Sequence, residues 1–212
     1  MPSASTARSR DDDDAAPAAP AASVEAAVIG TSAGGVNALA ALLADLPAPW
    51  HLPMVAVIHL PERRESRLPE VFAHRLAIPV HEAQDKAPVA GGALYFAPPS
   101  YHLSIERSRE FSLSCEPPVL WSRPSIDVLM SSAADAYGPA VAGLLLTGAN
   151  VDGAQGMLQI HRAGGLTAVQ DPAEAEVDTM PLAALALHRP DRVLPLHALR
   201  TLLMDLNALH AD

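Results

Sequence analysis

One cysteine, Cys115, serves the whole 212-residue chain, so no internal disulfide can form, and the count fits a reducing compartment. Aromatic residues make up only 4%, so the core must be built from Leu, Val, Ile and Ala rather than from rings. Cations are scarce: 14 Lys and Arg stand against 24 Asp and Glu, a formal net charge of -10. Setting aside Asp11 to Asp14 with Arg8 and Arg10 still leaves 12 basic against 20 acidic residues. A body that acidic argues against gripping a phosphate backbone, so no nucleic-acid partner is expected. No apolar stretch reaches the roughly 18 residues of a membrane span, and no basic-then-apolar signal segment opens the chain. The expectation is a cytoplasmic protein without membrane insertion. His74, His81 and His102 do not fall in a ligand spacing such as H-E-x-x-H, so no metal is expected, and no other cofactor either.

What is present is globular: 50% hydrophobic and 18% charged residues, in a length that suits one domain with a sizeable core. Residues 1–22 are rich in Ala, Pro, Ser and Asp without any period and read as a disordered acidic tail. Residues 23–212 read as a single domain. Short apolar runs at 24–29, 54–58, 78–82, 139–146, 166–170 and 192–194 predict strands, the most apolar of them, 139–146, at the centre of a sheet. Helical spacing predicts helices at 34–46, 67–76, 125–136, 153–163, 181–188 and 195–209, with Ser125 the candidate N-cap of 125–136 and Gly164-Gly165 capping 153–163. Segments 93–97, 101–106 and 111–115 predict three short strands, with a hairpin connection at 107–110, as an antiparallel excursion. The alternation predicts a doubly wound, mostly parallel α/β sheet, a Rossmann-like three-layer fold.

The run Ala26-Ala27-Val28-Ile29 leads into Gly30-Thr31-Ser32-Ala33-Gly34-Gly35. A serine on a tight glycine-rich turn between strand and helix can expose its hydroxyl as a nucleophile. It then needs a base to take its proton and a carboxylate to orient that base. His59 follows the second strand directly, and Asp152 lies in the loop after the most apolar strand. In a parallel sheet these three strand ends share one edge, so Ser32, His59 and Asp152 are expected to meet in one crevice. Singly, each has an ordinary reading: Ser32 a helix cap, His59 a loop histidine, Asp152 the N-cap of 153–163. Backbone N–H groups of Ala33 and of the 148–150 loop, Ala149 among them, are the candidate oxyanion donors.

Five motifs then occur in order. They are Gly30-Thr31-Ser32-Ala33-Gly34-Gly35, Ile58-His59-Leu60-Pro61, Tyr95-Phe96-Ala97-Pro98, Arg123-Pro124-Ser125-Ile126-Asp127-Val128-Leu129, and Leu146-Thr147-Gly148 through Asp152-Gly153-Ala154. Together they resemble the catalytic domain of the CheB chemotaxis methylesterases, over about residues 25–205. The resemblance implies a serine triad that hydrolyses glutamyl γ-methyl esters on helical chemoreceptors during adaptation signalling, with deamidation of glutamines as a second activity. It assigns Ser32 as nucleophile, His59 as base and Asp152 as orienting acid. The chain departs from the family pattern at Ala33, where threonine is usual, and at Ala149 and Asn150, where methionine and glycine are frequent. The 22-residue tail is too short for a receiver domain, so the expectation is a catalytic domain acting alone or under a separate regulatory partner. Two rival readings remain. One is a partner-binding module that keeps the fold without catalysis. The other is a nucleotide-binding domain, against which the G-x-x-x-G-G spacing counts.

Overall fold

The computed structural model describes residues 23–59 and 67–210. The expected tail at 1–22, and the Leu60-Pro61 end of the second motif, lie outside the described residues. Seven strands form one sheet: β1 (Ala26–Thr31), β2 (Met54–Ile58), β3 (Val80–Glu82), β4 (Leu94–Phe96), β7 (Val141–Leu145), β8 (Leu166–Gln170) and β9 (Arg192–Leu194). Their order is β3-β4-β2-β1-β7-β8-β9, and every neighbouring pair is parallel. Two further strands, β5 (His102–Ile105) and β6 (Phe111–Ser114), pair antiparallel outside that sheet.

Residues of β1, β2 and β7 are buried on both faces, which requires a layer of helices on each side. The two-residue period sorts them. Ala27 and Ile29 point into one core with Leu39 and Leu42 of α1 (Gly35–Leu42), Phe72 of α2 (Leu68–Ala73), and Leu199 and Leu203 of α6 (Leu196–His210). Ala26 and Val28 point into the other, with Ile126, Leu129 and Met130 of α3 (Ile126–Tyr137), Met157 of α4 (Ala154–Arg162), Met180 of α5 (Thr179–Leu187), and Leu103 and Phe111 of the hairpin. Rings are few but central: Phe72 and Phe96 meet at 5.2 Å, and Tyr95 and Phe111 at 5.0 Å.

Three expectations are corrected. Segment 93–97 is not part of the antiparallel excursion, because β4 pairs parallel with both β2 and β3 in the main sheet. β1 rather than β7 is the middle strand of seven, with β7 beside it. And α1 ends at Leu42, well before Pro47: the chain closes with Leu43 N–H bonded to Leu39 O, then turns at Asp45 with φ 56°. Elsewhere the agreement is close. β2, β8 and β9 have the expected limits, and Ser125 caps α3 by accepting from Val128 N–H. At the Gly164-Gly165 end of α4, the two glycine N–H groups return to His161 O and Ile160 O, the Schellman pattern.

The strand order reverses between β1 and β7. Chain segments leave these two strands in opposite directions, which opens a crevice at their carboxyl ends.

Candidate active site

Ser32 is the first residue after β1, and His59 the first after β2. Thr31 and Ile58 are register partners, and His59 N–H donates to Thr31 O at 3.2 Å, so Ser32 and His59 leave adjacent strands side by side. On the other flank Ser32 N–H donates to Thr147 O at 3.0 Å, which ties the serine turn to the loop after β7. Ser32 does not cap α1. The N-cap is Gly34 in the left-handed region at φ 77°, where glycine carries no penalty, and no side chain caps the helix.

Thr147 and Gly148 hold the turn from below. The Thr147 hydroxyl lies 3.0 Å from Ala33 O and 3.1 Å from Val177 O, and accepts from Val177 N–H at 2.9 Å. Thr31 Oγ1 donates to Thr147 O, and Thr147 N–H is taken by the buried Gln170 side chain at 2.8 Å. A Cβ at Gly148 would stand 2.6 Å from Met180 Cε and 3.0 Å from Ser32 Cβ, so a side chain there would have to displace the end of Met180. The Met180-Pro181 segment thus supports the floor under the serine.

His59 Nε2 and Asp152 Oδ2 are 2.8 Å apart, with the histidine side chain 11% exposed and the aspartate fully buried. Since an ionised carboxylate only accepts, Nε2 carries the proton and Nδ1 is left as the basic nitrogen. The nearest hydroxyl bonded to Nδ1 is that of Ser122, at a long 3.4 Å. Ser32 Oγ is half-buried and makes no hydrogen bond among the described residues. The N–H groups of Ala33 and Ala149 are likewise unused there, and the Gly148 N–H is taken by Val177 O.

Asp152 is not the N-cap of its own helix. That position belongs to Gly153, and the carboxylate reaches across to the start of α3 instead. Oδ2 accepts from Ile126 N–H at 2.7 Å, and Oδ1 from Asp127 N–H at 2.9 Å, Ser125 Oγ at 2.9 Å and Gly153 N–H at 3.0 Å. Asp127 does the reverse: its Oδ1 accepts from Gly153 and Gly156 N–H, at 2.9 and 2.7 Å, at the start of α4. Each helix therefore seats the other's acid on its positive end. Burial raises the Asp152 carboxyl, but the His59 bond, the Asp127 and Ile126 amides and the His59 charge outweigh it and hold the pKa below the usual carboxylate value. Among the described residues no cation pairs with Asp127. Burial pushes it up to about 6, opposed by the Gly156 amide and reinforced by the Asp152 charge.

Several contributors were not visible in the sequence reading. His102 is 1% exposed; its Nδ1 accepts from Ser125 N–H and its Nε2 faces Pro117 O at 3.1 Å, so it braces the cap that braces Asp152. Asn150 accepts from Asp152 N–H and donates to Leu120 O at 2.8 Å. Ser122 stood just before the Arg123-Pro124 motif, and only the tertiary turn brings it to His59. Arg123, the first residue of that motif, donates to the carbonyls of Cys115 and Glu116. Asp171 accepts from Ala173 N–H in a loop turn.

A sequence profile of the family described as CheB methylesterase matches residues 27–203. A relative in Leptospira interrogans, provisionally named protein-glutamate methylesterase/protein-glutamine glutaminase, is 42% identical over 183 residues, covering 86% of this chain and 95% of that protein. The protein-glutamate methylesterase/protein-glutamine glutaminase 1 of Hahella chejuensis is 41% identical over 79% of this chain, which spans 47% of that protein's length. The crystal structure of the Thermotoga maritima CheB methylesterase catalytic domain matches with a TM-score of 0.82 at 28% identity, covering 87% of this chain and all of that one. With nearly every described element accounted for by that match, the chain belongs to the CheB methylesterase family.

Proposed function

We propose that this chain hydrolyses the γ-methyl esters of glutamyl side chains in a methylated, helical chemoreceptor-like protein, through Ser32, His59 and Asp152. Family membership makes it a carboxylic ester hydrolase, and its relatives' names pair that activity with glutamine deamidation. The observation that carries the site assignment is the 2.8 Å His59–Asp152 bond beside Ser32, with the strand register setting the serine next to the histidine.

In this mechanism Ser32 Oγ attacks the ester carbonyl while His59 Nδ1 takes its proton. Nε2–H stays on Asp152, whose charge stabilises the imidazolium. The oxyanion is received by the unused N–H groups of Ala33 and Ala149, each such donor being worth about 3 kcal/mol. His59 then gives that proton to the leaving ester oxygen, which departs as methanol, or to the nitrogen of a glutamine amide, which departs as ammonia. Water, deprotonated by the same nitrogen, releases the glutamate. A hydrogen bond too long in the free enzyme commonly tightens only in the substrate complex, which accommodates the free Ser32 hydroxyl.

Residues 23–212 act as one catalytic domain in this reading. Among the described residues no helix is long and apolar enough to cross a membrane, and the cytoplasmic side of a receptor is where the substrate would be met. A separate regulatory partner is compatible with it. The test is methanol release from a methylated receptor fragment. Ser32→Ala should lose three orders of magnitude or more. Undiminished turnover in that variant would remove Ser32 as the nucleophile, and no turnover by the unaltered protein would return the reading to a partner-binding module.

A further inference from the structure

Trp121 is 96% exposed, on a two-residue turn beside the histidine. Val119 and Ser122 close this turn with reciprocal backbone bonds, Val119 N–H to Ser122 O at 3.1 Å and Ser122 N–H to Val119 O at 2.8 Å. Leu120 and Trp121 between them both have positive φ, 47° and 65°. Turns of that kind favour Asn and Gly, because a Cβ is strained there. A bulky side chain at such a φ is an outlier, and strain of this sort collects at functional sites.

The fold gains no packing from the Trp121 ring. Yet the turn is held rather than loose. Asn150 Nδ2 is bonded to Leu120 O, and the same side chain accepts from Asp152 N–H; Ser122 Oγ is 3.4 Å from His59 Nδ1. Arg123 braces the next residue against the carbonyls of Cys115 and Glu116. The backbone that carries the ring and the 41%-exposed Leu120 is therefore held in place relative to His59. Rigid aromatics with few rotatable bonds make effective anchors for a protein partner.

We infer that Leu120 and Trp121 form a substrate-docking tip, which grips an aliphatic face of the polypeptide next to the esterified glutamate. The inference rests on the esterase reading above. A polypeptide that presents a side-chain ester to Ser32, beside His59, must pass its flanking surface over the turn that carries Ser122. A small ester needs no such contact. The tip therefore acts as a specificity determinant for macromolecular substrate and plays no part in the chemistry.

The deciding variant is Trp121→Gly, which removes the ring and also relieves the backbone. Its thermal midpoint should be no lower than that of the unaltered protein. KM for a methylated receptor fragment should rise about tenfold or more with kcat little changed, while p-nitrophenyl acetate hydrolysis stays the same. An unchanged KM, or an equal loss on both substrates, overturns the proposal. Binding is read separately in Ser32→Ala, where turnover plays no part. Trp50 is buried and donates to Leu52 O, so added fragment should move only the Trp121 emission, to the blue. Emission that stays put at saturating fragment overturns docking at the tip. Undiminished ester turnover in Ser32→Ala would instead overturn the nucleophile assignment and leave the emission result standing.

Discussion

The two ends of the proposed proton path are built in opposite ways. At one end the Asp152 carboxylate is fully buried and receives five donors: the Ile126, Asp127 and Gly153 amides, the Ser125 hydroxyl and the His59 ring. At the other, the Ser32 hydroxyl has no partner among the described residues, and only its backbone is tied down. An orienting acid must not move, so helix starts and side chains over-determine it. A nucleophile must be free to turn from base to substrate, so its backbone alone is fixed. Stability should therefore be sensitive at the acid and indifferent at the nucleophile, while activity is sensitive at both.

That contrast is broken most directly by pairing Ser32→Ala with Asp152→Asn. The first should remove three orders of magnitude or more of ester hydrolysis and leave stability within about 0.5 kcal/mol. The second should lose roughly 10³- to 10⁴-fold in activity and also melt several degrees lower. Either orientation of the new amide turns an NH₂ toward existing donors: Ile126 N–H and His59 on one oxygen, or three donors on the other. A melting point unchanged in Asp152→Asn would contradict the account of the acid as a shared anchor of two helices.

Ser125→Ala comes next. It removes both a donor to Asp152 and the acceptor for Val128 N–H, and should cost about 1–2 kcal/mol in denaturant unfolding. Its effect on activity should exceed that of Ser122→Ala. Ser122 is bonded to His59 Nδ1 only at 3.4 Å, so Ser122→Ala should change kcat less than about tenfold. A loss of roughly three orders of magnitude in Ser122→Ala, with Ser32→Ala retaining activity, would make Ser122 the nucleophile.

The smallest expected effect concerns the two acids. Asp152, held below its ordinary value, contributes stability that is present above the unfolded-state pKa near 3.9 and lost as pH falls through the folded value. Asp127 has the opposite sign. With its folded pKa raised to about 6, the native state keeps a proton that the unfolded state has released, so stability falls as pH rises from about 4 to about 6. Asp127→Asn keeps an acceptor for the Gly153 and Gly156 amides but removes the titration. Its stability relative to the unaltered protein should climb across that window and level off above it. Parallel curves would show that Asp127 does not titrate there.

Much of this was legible in the chain. The limits of β2, β8 and β9 follow from short apolar runs with no competing period, and the Ser125 cap follows from its place ahead of a helical pattern. Where reading failed, the deciding contacts were distant. Nothing local distinguishes β4 from the hairpin strands after it; its neighbours β2 and β3 decide. For Asp152 local chemistry left the cap of its own helix open beside the role of orienting acid, and only the packing of α3 against α4 turns its carboxylate to the other helix.

The sequence by itself determined the alternation of strands and helices, and with it the common edge at which Ser32, His59 and Asp152 emerge. These are matters of period and chain direction, carried by neighbours in the chain. Which nitrogen of His59 is basic, which helix holds Asp152, and that Ser122 and Trp121 stand at the crevice were decided by tertiary structure. Each depends on hydrogen bonds between residues 25 to 93 positions apart, such as Asp127 to Asp152 and His59 to Asp152, whose geometry exists only once the layers have packed.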